Sequence, residues 1–318
     1  MPDILAITGP IFLLIALGFV AVRSGFFARE ALPALAVFVI TFALPALLFK
    51  SLAQRSVAEV MNPRYVAAYA AGSLLTLGAG WVFAHWMRGQ GRAAAAMTGM
   101  GMACANTAFV GYPVALQVVG REAAVALALT MMVENFLMIP LCLALADSAG
   151  HADKPFWRAM ARSLAGLRKN PIVMAILAGL VFALARVTLP VPLARAIDML
   201  AGASAPTALF YIGGSLVGLH VGALAGQVAA VTAGKLVLHP LTVFPALLVV
   251  GPVAPPLQIA AVLLACAPML SIYPILGQKY GQQGVAAASL LVCTVAAFAS
   301  IGAVIWGLQA SAVFGPLH

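Results

Sequence analysis

The sequence predicts an all-α polytopic membrane protein of ten transmembrane helices, arranged as two inverted five-helix repeats. Three observations carry this prediction. Hydrophobic residues make up 64% and charged residues 8% of 318, against roughly 45–50% and 25% in soluble domains. Ten stretches are each apolar over the length, about 20 residues, that crosses a hydrocarbon core. The pattern Y-P-x-x-x-Q-x-x-G occurs twice, at 112–120 and 273–281, an offset of 161 residues.

The first span, 4–22, opens with Asp3 and no basic run, so it reads as a retained helix and not a cleaved signal peptide. Span 31–53 carries Pro45-x-x-Leu48-Phe49, and 64–86 follows it. Span 93–119 holds the first Tyr-Pro pair. Span 122–146 contains Glu134, the one acid well inside a span, with Asn135 beside it. The connection 147–169 is long. In it Phe156, Met160, Leu164 and Leu167 share a helical face beside Arg158 and Arg162, the pattern of a basic amphipathic helix on the membrane surface. Spans 170–188, 196–220, 226–250, 256–279 and 284–309 complete the set. Lys235 and His239 lie four apart, hence on one face of 226–250, and 256–279 holds the second Tyr-Pro pair.

The offset of 161 also aligns Pro10 with Pro171, Gly18 with Gly179, and Pro45-x-x-Leu48-Phe49 with Pro206-x-x-Leu209-Phe210. Eight prolines precede residue 161; at 20 in 318, chance supplies about half a match, whereas three coincide. The repeats are 1–157 and 162–318. Five spans per repeat turn the second copy upside down about an axis in the membrane plane, an architecture of carriers with alternating access.

Net charge is +9, but the basic residues sit in short connections and form no tract, so topology explains them and a nucleic-acid partner is not expected. Six Lys or Arg lie in connections on the side of the termini and ten on the other. The richer side, with loop 147–169, is expected to be cytoplasmic, which puts both termini outside. Cys104, Cys142, Cys266 and Cys293 lie in apolar segments without ligand spacing and read as buried thiols. Gly99-Met100-Gly101-Met102 is no dinucleotide loop, because no strand precedes it. With no catalytic triad, metal cluster or phosphate loop visible, the chain is not read as an enzyme, and no cofactor is called for.

Each Tyr-Pro element interrupts its span. Proline lacks an amide hydrogen and clashes with the preceding turn, and an interrupted helix in hydrocarbon is tolerated only inside protein or beside a water-filled cavity. Two breaks in corresponding places predict a binding site at mid-membrane depth.

These residues resemble the auxin efflux carrier family. Asn106-Thr107-x-x-x-Gly111-x-Pro113 is similar to that family's fourth-helix signature, and 44–49, Asn170-Pro171, Lys235 with His239-Pro240, Ala267-Pro268 and Tyr280-Gly281 support it. Among bacterial members the chain is most similar to the malonate carriers, through 170–174 and the fourth helix. The resemblance implies a sodium–bile acid symporter or NhaA-like fold in which broken helices 4 and 9 cross. It also implies a scaffold near 4–53 and 170–220, a moving transport domain near 64–146 and 226–309, and a homodimer through the scaffold. The implied setting is the bacterial inner membrane, and the implied activity is elevator-type secondary transport of small organic anions, mono- or dicarboxylates such as malonate or malate. A sodium-coupled bile-acid-like symporter and a uniporter or facilitator of weak acids are the alternatives.

For a carboxylate substrate, half-helix N-termini supply donors and positive potential. The candidate substrate residues are therefore Asn106, Thr107, Gly111, Tyr112, Pro113, Pro268, Ser271, Tyr273 and Pro274. Asn106 and Thr107 donate side-chain hydrogen bonds, or Asn106 serves a carbonyl freed at the kink. Tyr112 and Tyr273 contact substrate or line the helix interface. Pro113 and Pro274 act through shape, and replacing either with Ala is expected to restore helical hydrogen bonding. Glu134 and Asn135 are the ion-coupling candidates, for a proton or a sodium ion, because an ionisable residue inside a span is costly. The malonate-carrier pattern lacks an acid at the place of Glu134. Its other reading is as a structural partner of Lys235 or an Asn. Lys235 itself either attracts an anion, pairs with Glu134 or snorkels.

Overall fold

A computed structural model describes residues 2–53, 62–149, 156–187, 189–218, 225–311 and 313. Its helices, in chain order, are α1 (Pro2–Arg23), α2 (Arg29–Ala53), α3 (Pro63–Met87), α4 (Arg92–Ala103), α5 (Thr107–Val119) and α6 (Glu122–Ser148). There follow α7 (Phe156–Gly166), α8 (Pro171–Ala185), α9 (Val191–Ser215), α10 (Ala225–Val249), α11 (Pro255–Cys266), α12 (Tyr273–Gln278) and α13 (Gln283–Ser311). Six of them, α2, α3, α6, α9, α10 and α13, are long and apolar enough to cross a membrane, while α5, α8, α11 and 9–23 of α1 are shorter apolar helices. Helices therefore occupy every predicted span. The seventh starts earlier than expected, because Pro192 stands in the first turn of α9, where a missing amide hydrogen costs nothing.

The prolines have a regular structural consequence that the sequence reading assigned differently. Four π-helical segments, Val39–Ala43, Thr107–Gly111, Glu134–Met138 and Gly234–Leu238, are each followed by one residue and then a proline: Pro45, Pro113, Pro140 and Pro240. In each, the residue before the proline sends its amide five residues back: Leu44 to Val39, Tyr112 to Thr107, Ile139 to Glu134, His239 to Gly234. Widening the turn relieves the clash between the pyrrolidine ring and the preceding carbonyl without severing the helix. Pro113 was expected to break the fourth rod; it widens it. The rod is interrupted earlier, at 104–106, where Cys104 adopts an extended conformation. Pro113→Ala therefore restores no hydrogen bond across the break. In the ninth rod the gap is 267–272 and Pro274 lies in the first turn of α12.

Both interrupted rods enter with twelve-residue helices, α4 and α11. At 1.5 Å per residue each reaches about 18 Å, a little over half of a hydrocarbon core of about 30 Å. There the two gaps run antiparallel: Ala105 and Met269 form an isolated bridge, and the Asn106 amide donates to the Pro268 carbonyl at 2.6 Å. Tyr273 packs against Gly101 and donates its hydroxyl to the Met97 carbonyl at 2.9 Å.

Helices α1, α2, α8 and α9 pack chiefly against one another, and α3, α4, α6, α10, α11 and α13 form a second group around the crossing. The first group is drawn together by glycines. The Gly18 Cα faces the backbone of Phe210, and the Gly179 Cα faces the backbone of Phe49. Under the 161-residue offset these are one contact made twice, since 18 maps to 179 and 49 to 210. Helix α7 leaves Trp157 and Arg158 exposed and packs on the end of α6. Asp147, near the end of α6, accepts from Lys279 and from the Tyr280 hydroxyl, tying α6 to the far end of α12. Burial, then that hydrogen bond, raises the Tyr280 phenol above its ordinary value.

Because a Cβ at either glycine meets carbonyl-bearing backbone, Gly18→Val and Gly179→Val are each expected to destabilise by about 1–3 kcal/mol, the usual range for overpacking. Denaturant midpoints of the detergent-solubilised protein measure this, and the loss at Gly18 should be the larger, because its Cβ would lie 2.1 Å from the Phe210 carbonyl oxygen against 3.1 Å from that of Phe49 for Gly179.

Candidate functional site

The two gaps bound a cavity of about 370 Å³ between the crossing and the α2–α8–α9 group. Its crossing side presents Asn106, Thr107, Phe109 and Ser271; α6 contributes Glu134 and Asn135; the opposite wall holds Ile40, Leu44, Ile172 and Tyr211, with Lys169 and Asn170 at one end. The Asn106 side-chain amide donates to the Ser271 hydroxyl at 2.6 Å, joining the two breaks a second time.

Glu134 is buried, and both its oxygens are engaged. Oε1 accepts the Ala105 amide at 3.0 Å and Oε2 accepts the Thr107 hydroxyl at 2.9 Å. The carboxylate thus sits at the amino end of α5, where the peptide dipoles favour a negative charge. Glu134 opens a π segment, a local widening frequent at functional positions.

Asn135 is held on both its nitrogen and its oxygen. Its amide donates to Met131 O at 2.9 Å and its oxygen accepts from Asn170 at 3.3 Å. Asn170 in turn caps α8, taking the Ile172 amide on its own oxygen at 3.0 Å. This chain links the two helix groups across the end of the cavity. Asn170 is a residue of this cavity that the sequence does not single out as a site: the Asn-Pro start of a span signals a cap, and nothing in the sequence says what the cap faces.

The remaining predicted residues are not brought to this cavity. Gly111 lies against Leu264 and Ala267, where the rods cross. Tyr112 lines a second cavity of about 370 Å³ with Lys50, Ser51, Leu116, Arg121 and Asp198. Pro268 contributes a carbonyl to the crossing, and Tyr273 is held by Met97. Pro113 and Pro274 shape their helices. Between the two cavities, by their order along α5 and α9, stand Phe109 and Tyr211, ring to ring at 5.5 Å.

Lys235 is fully buried and neither pairs with Glu134 nor snorkels. Its ammonium donates to His239 Nδ1 at 2.6 Å and to the Ala265 carbonyl at 2.7 Å. Among the described residues no three His, Cys, Asp or Glu side chains gather as a metal site.

The arrangement offers an anion the Ser271 hydroxyl and the second amide hydrogen of Asn106, with a lysine at the cavity's end, while the Thr107 hydroxyl is held by Glu134. Residues 8–306 match the family described as "Membrane transport protein". Over 317 residues, 98% of each chain, the sequence is 31% identical to a protein of Rhizobium meliloti (strain 1021) named "Putative malonate transporter".

If the Asn106–Ser271 bond joins the breaks, Asn106→Ala and Ser271→Ala should be non-additive. A double-mutant cycle on chemical unfolding is expected to give a coupling of about 1 kcal/mol; additive losses would mean that the bond contributes nothing.

Proposed function

The chain belongs to the auxin efflux carrier family of membrane transport proteins, and from that premise we propose that it is a secondary carrier of small carboxylates such as malonate. It is a multi-pass membrane transporter and not an enzyme. The observation that carries the substrate reading is the cavity at the crossing, where Asn106, Thr107 and Ser271 gather donors at the start of an interrupted helix. A volume of about 370 Å³ lies at the small end of ligand pockets, roughly 300–1,000 Å³, and favours a small acid over a bile salt.

The mechanism proposed is an elevator. The scaffold is 4–53 with 170–220, and the moving domain is 64–146 with 226–309. The two helix groups and the twin contacts Gly18–Phe210 and Gly179–Phe49 support this division and the inverted repeat behind it. Two cavities of similar size lie at opposite ends of α5 on the interface between the groups. A shear of the crossing along that interface would carry a bound anion from one end to the other. The cavity at the crossing ends beside Lys169 and Asn170, on the side assigned to the cytoplasm, so this state faces inward with both termini outside. A bacterial inner-membrane setting and a dimer through the scaffold complete the proposal.

Coupling follows from competition. The Glu134 carboxylate holds the Ala105 amide and the Thr107 hydroxyl, two of the donors a substrate carboxylate seeks. Protonation of Glu134 weakens its hold on both and frees them, so that proton and anion bind together. The charged and titratable groups near Glu134 are Lys235, Cys104, Tyr65 and Tyr69, of which Lys235 is the one cation.

In proteoliposomes, labelled malonate uptake is expected to saturate, to exchange, and to rise with an inward proton gradient. Glu134→Gln, a neutral isostere, is expected to keep binding and lose the response to that gradient. Losing a charge-assisted hydrogen bond of about 1.5–3 kcal/mol corresponds to roughly a tenfold to hundredfold effect, so Thr107→Val should shift half-saturation by about tenfold. Non-saturating, voltage-driven flux would instead identify a facilitator, and an unchanged proton response in Glu134→Gln would remove the coupling scheme.

A further inference from the structure

Lys235 has no role in the competition just described, yet it is buried beyond solvent in α10. Its ammonium reaches the Ala265 carbonyl in the last turn of α11. Carbonyls there have no partner within their own helix and carry about half a negative charge. In carriers built on interrupted helices, such a carbonyl end is where a coupling cation is held. Here a covalently attached cation occupies it.

The surroundings fix the lysine in place. An ammonium only donates, so His239 Nδ1 must accept, which leaves the imidazole hydrogen on Nε2 to donate to Ser73 Oγ at 3.0 Å. Tyr69 presses edge-to-face on the His239 ring at 5.7 Å. The π segment Gly234–Leu238 carries Lys235, and Gly234 lets Met102 of α4 pack closely against it. Three elements, α3, α10 and α11, thus converge on the Lys235–His239 pair, α3 through His239 and α11 through the ammonium. Glu134, the other buried charge, stands at the amino end of α5 and takes its hydrogen bonds from donors that repel a metal cation.

We propose that the Lys235 ammonium is a built-in substitute for a coupling sodium ion, closing the carbonyl end of α11 through Ala265, so that anion transport by this chain needs no sodium. The proposal rests on the carrier reading for its transport consequence, and on the geometry alone for the site. It excludes sodium from the coupling step and leaves the proton.

Two measurements test it. In proteoliposomes, malonate counterflow by the wild type is expected to be unchanged when sodium is replaced by potassium or N-methylglucamine. Lys235→Ala is expected to lose about tenfold or more, the equivalent of one hydrogen bond to a charged group, and to recover in part with methylammonium or sodium, while Lys235→Arg loses less. In detergent, the melting temperature of the wild type is expected not to respond to sodium, and that of Lys235→Ala to rise with sodium or methylammonium. Sodium stimulation or sodium stabilisation of the wild type overturns the proposal, and these arms decide it even where Lys235→Ala does not fold. A folded Lys235→Ala protein that transports normally, or melts identically with and without either cation, also overturns it. Absence of any carboxylate transport by the wild type sinks the carrier reading alone, because the melting experiment still reads the carbonyl site.

Discussion

The fold turns on one backbone hydrogen bond and its neighbours: the Asn106 amide on the Pro268 carbonyl, flanked by the Ala105–Met269 bridge. In hydrocarbon an unsatisfied peptide group costs several kcal/mol, so a helix can stop mid-depth only if something else completes its hydrogen bonding. Here each gap completes the other. That requirement fixes much else. The two entry helices must be of equal length to meet, and they are. The packing around the crossing must admit close approach, which Gly101 and Gly111 allow. The continuing half of the ninth rod must be anchored, which Tyr273 does through Met97.

A crossing of this kind leaves exposed helix poles, and the chain answers both with charge. Glu134 meets the amino end of α5 and Lys235 the carboxyl end of α11. A direct pair would have been the simpler solution, but a buried pair recovers its desolvation cost only with excellent geometry. Apart, each ion is stabilised by fixed peptide dipoles and by a second partner, Thr107 for the acid and His239 for the base.

Prolines in this chain act less as breaks than as adjustments of pitch. Pro45, Pro113, Pro140 and Pro240 each follow a π segment whose last amide reaches five residues back. The extra residue per turn rotates what precedes it. Thr107, Glu134 and Lys235 all lie in such segments. These residues are therefore aimed by prolines five or six positions downstream: Thr107 by Pro113, Glu134 by Pro140 and Lys235 by Pro240.

The sequence by itself determined an all-α chain of long apolar helices and the existence of two interruptions, and its residues matched at an offset of 161 pointed to two related halves. Hydrocarbon acts on every residue of a span independently, so length and composition suffice, and a repeat survives as matched prolines and glycines. It also singled out Asn106, Thr107, Ser271 and Glu134, because polar side chains inside a span stand out. Only the tertiary structure decided where the fourth rod stops and who partners whom. The gap at 104–106 carries no proline and is stabilised by residues 29 and 164 positions away, Glu134 and Met269, each from Ala105. Tyr112 and Tyr273, equivalent in the repeat, came to lie in different surroundings, one beside Arg121 and one under Met97. Local rules say that a chain can be interrupted at a given place; which carbonyl or carboxylate completes the interruption depends on what another helix brings there.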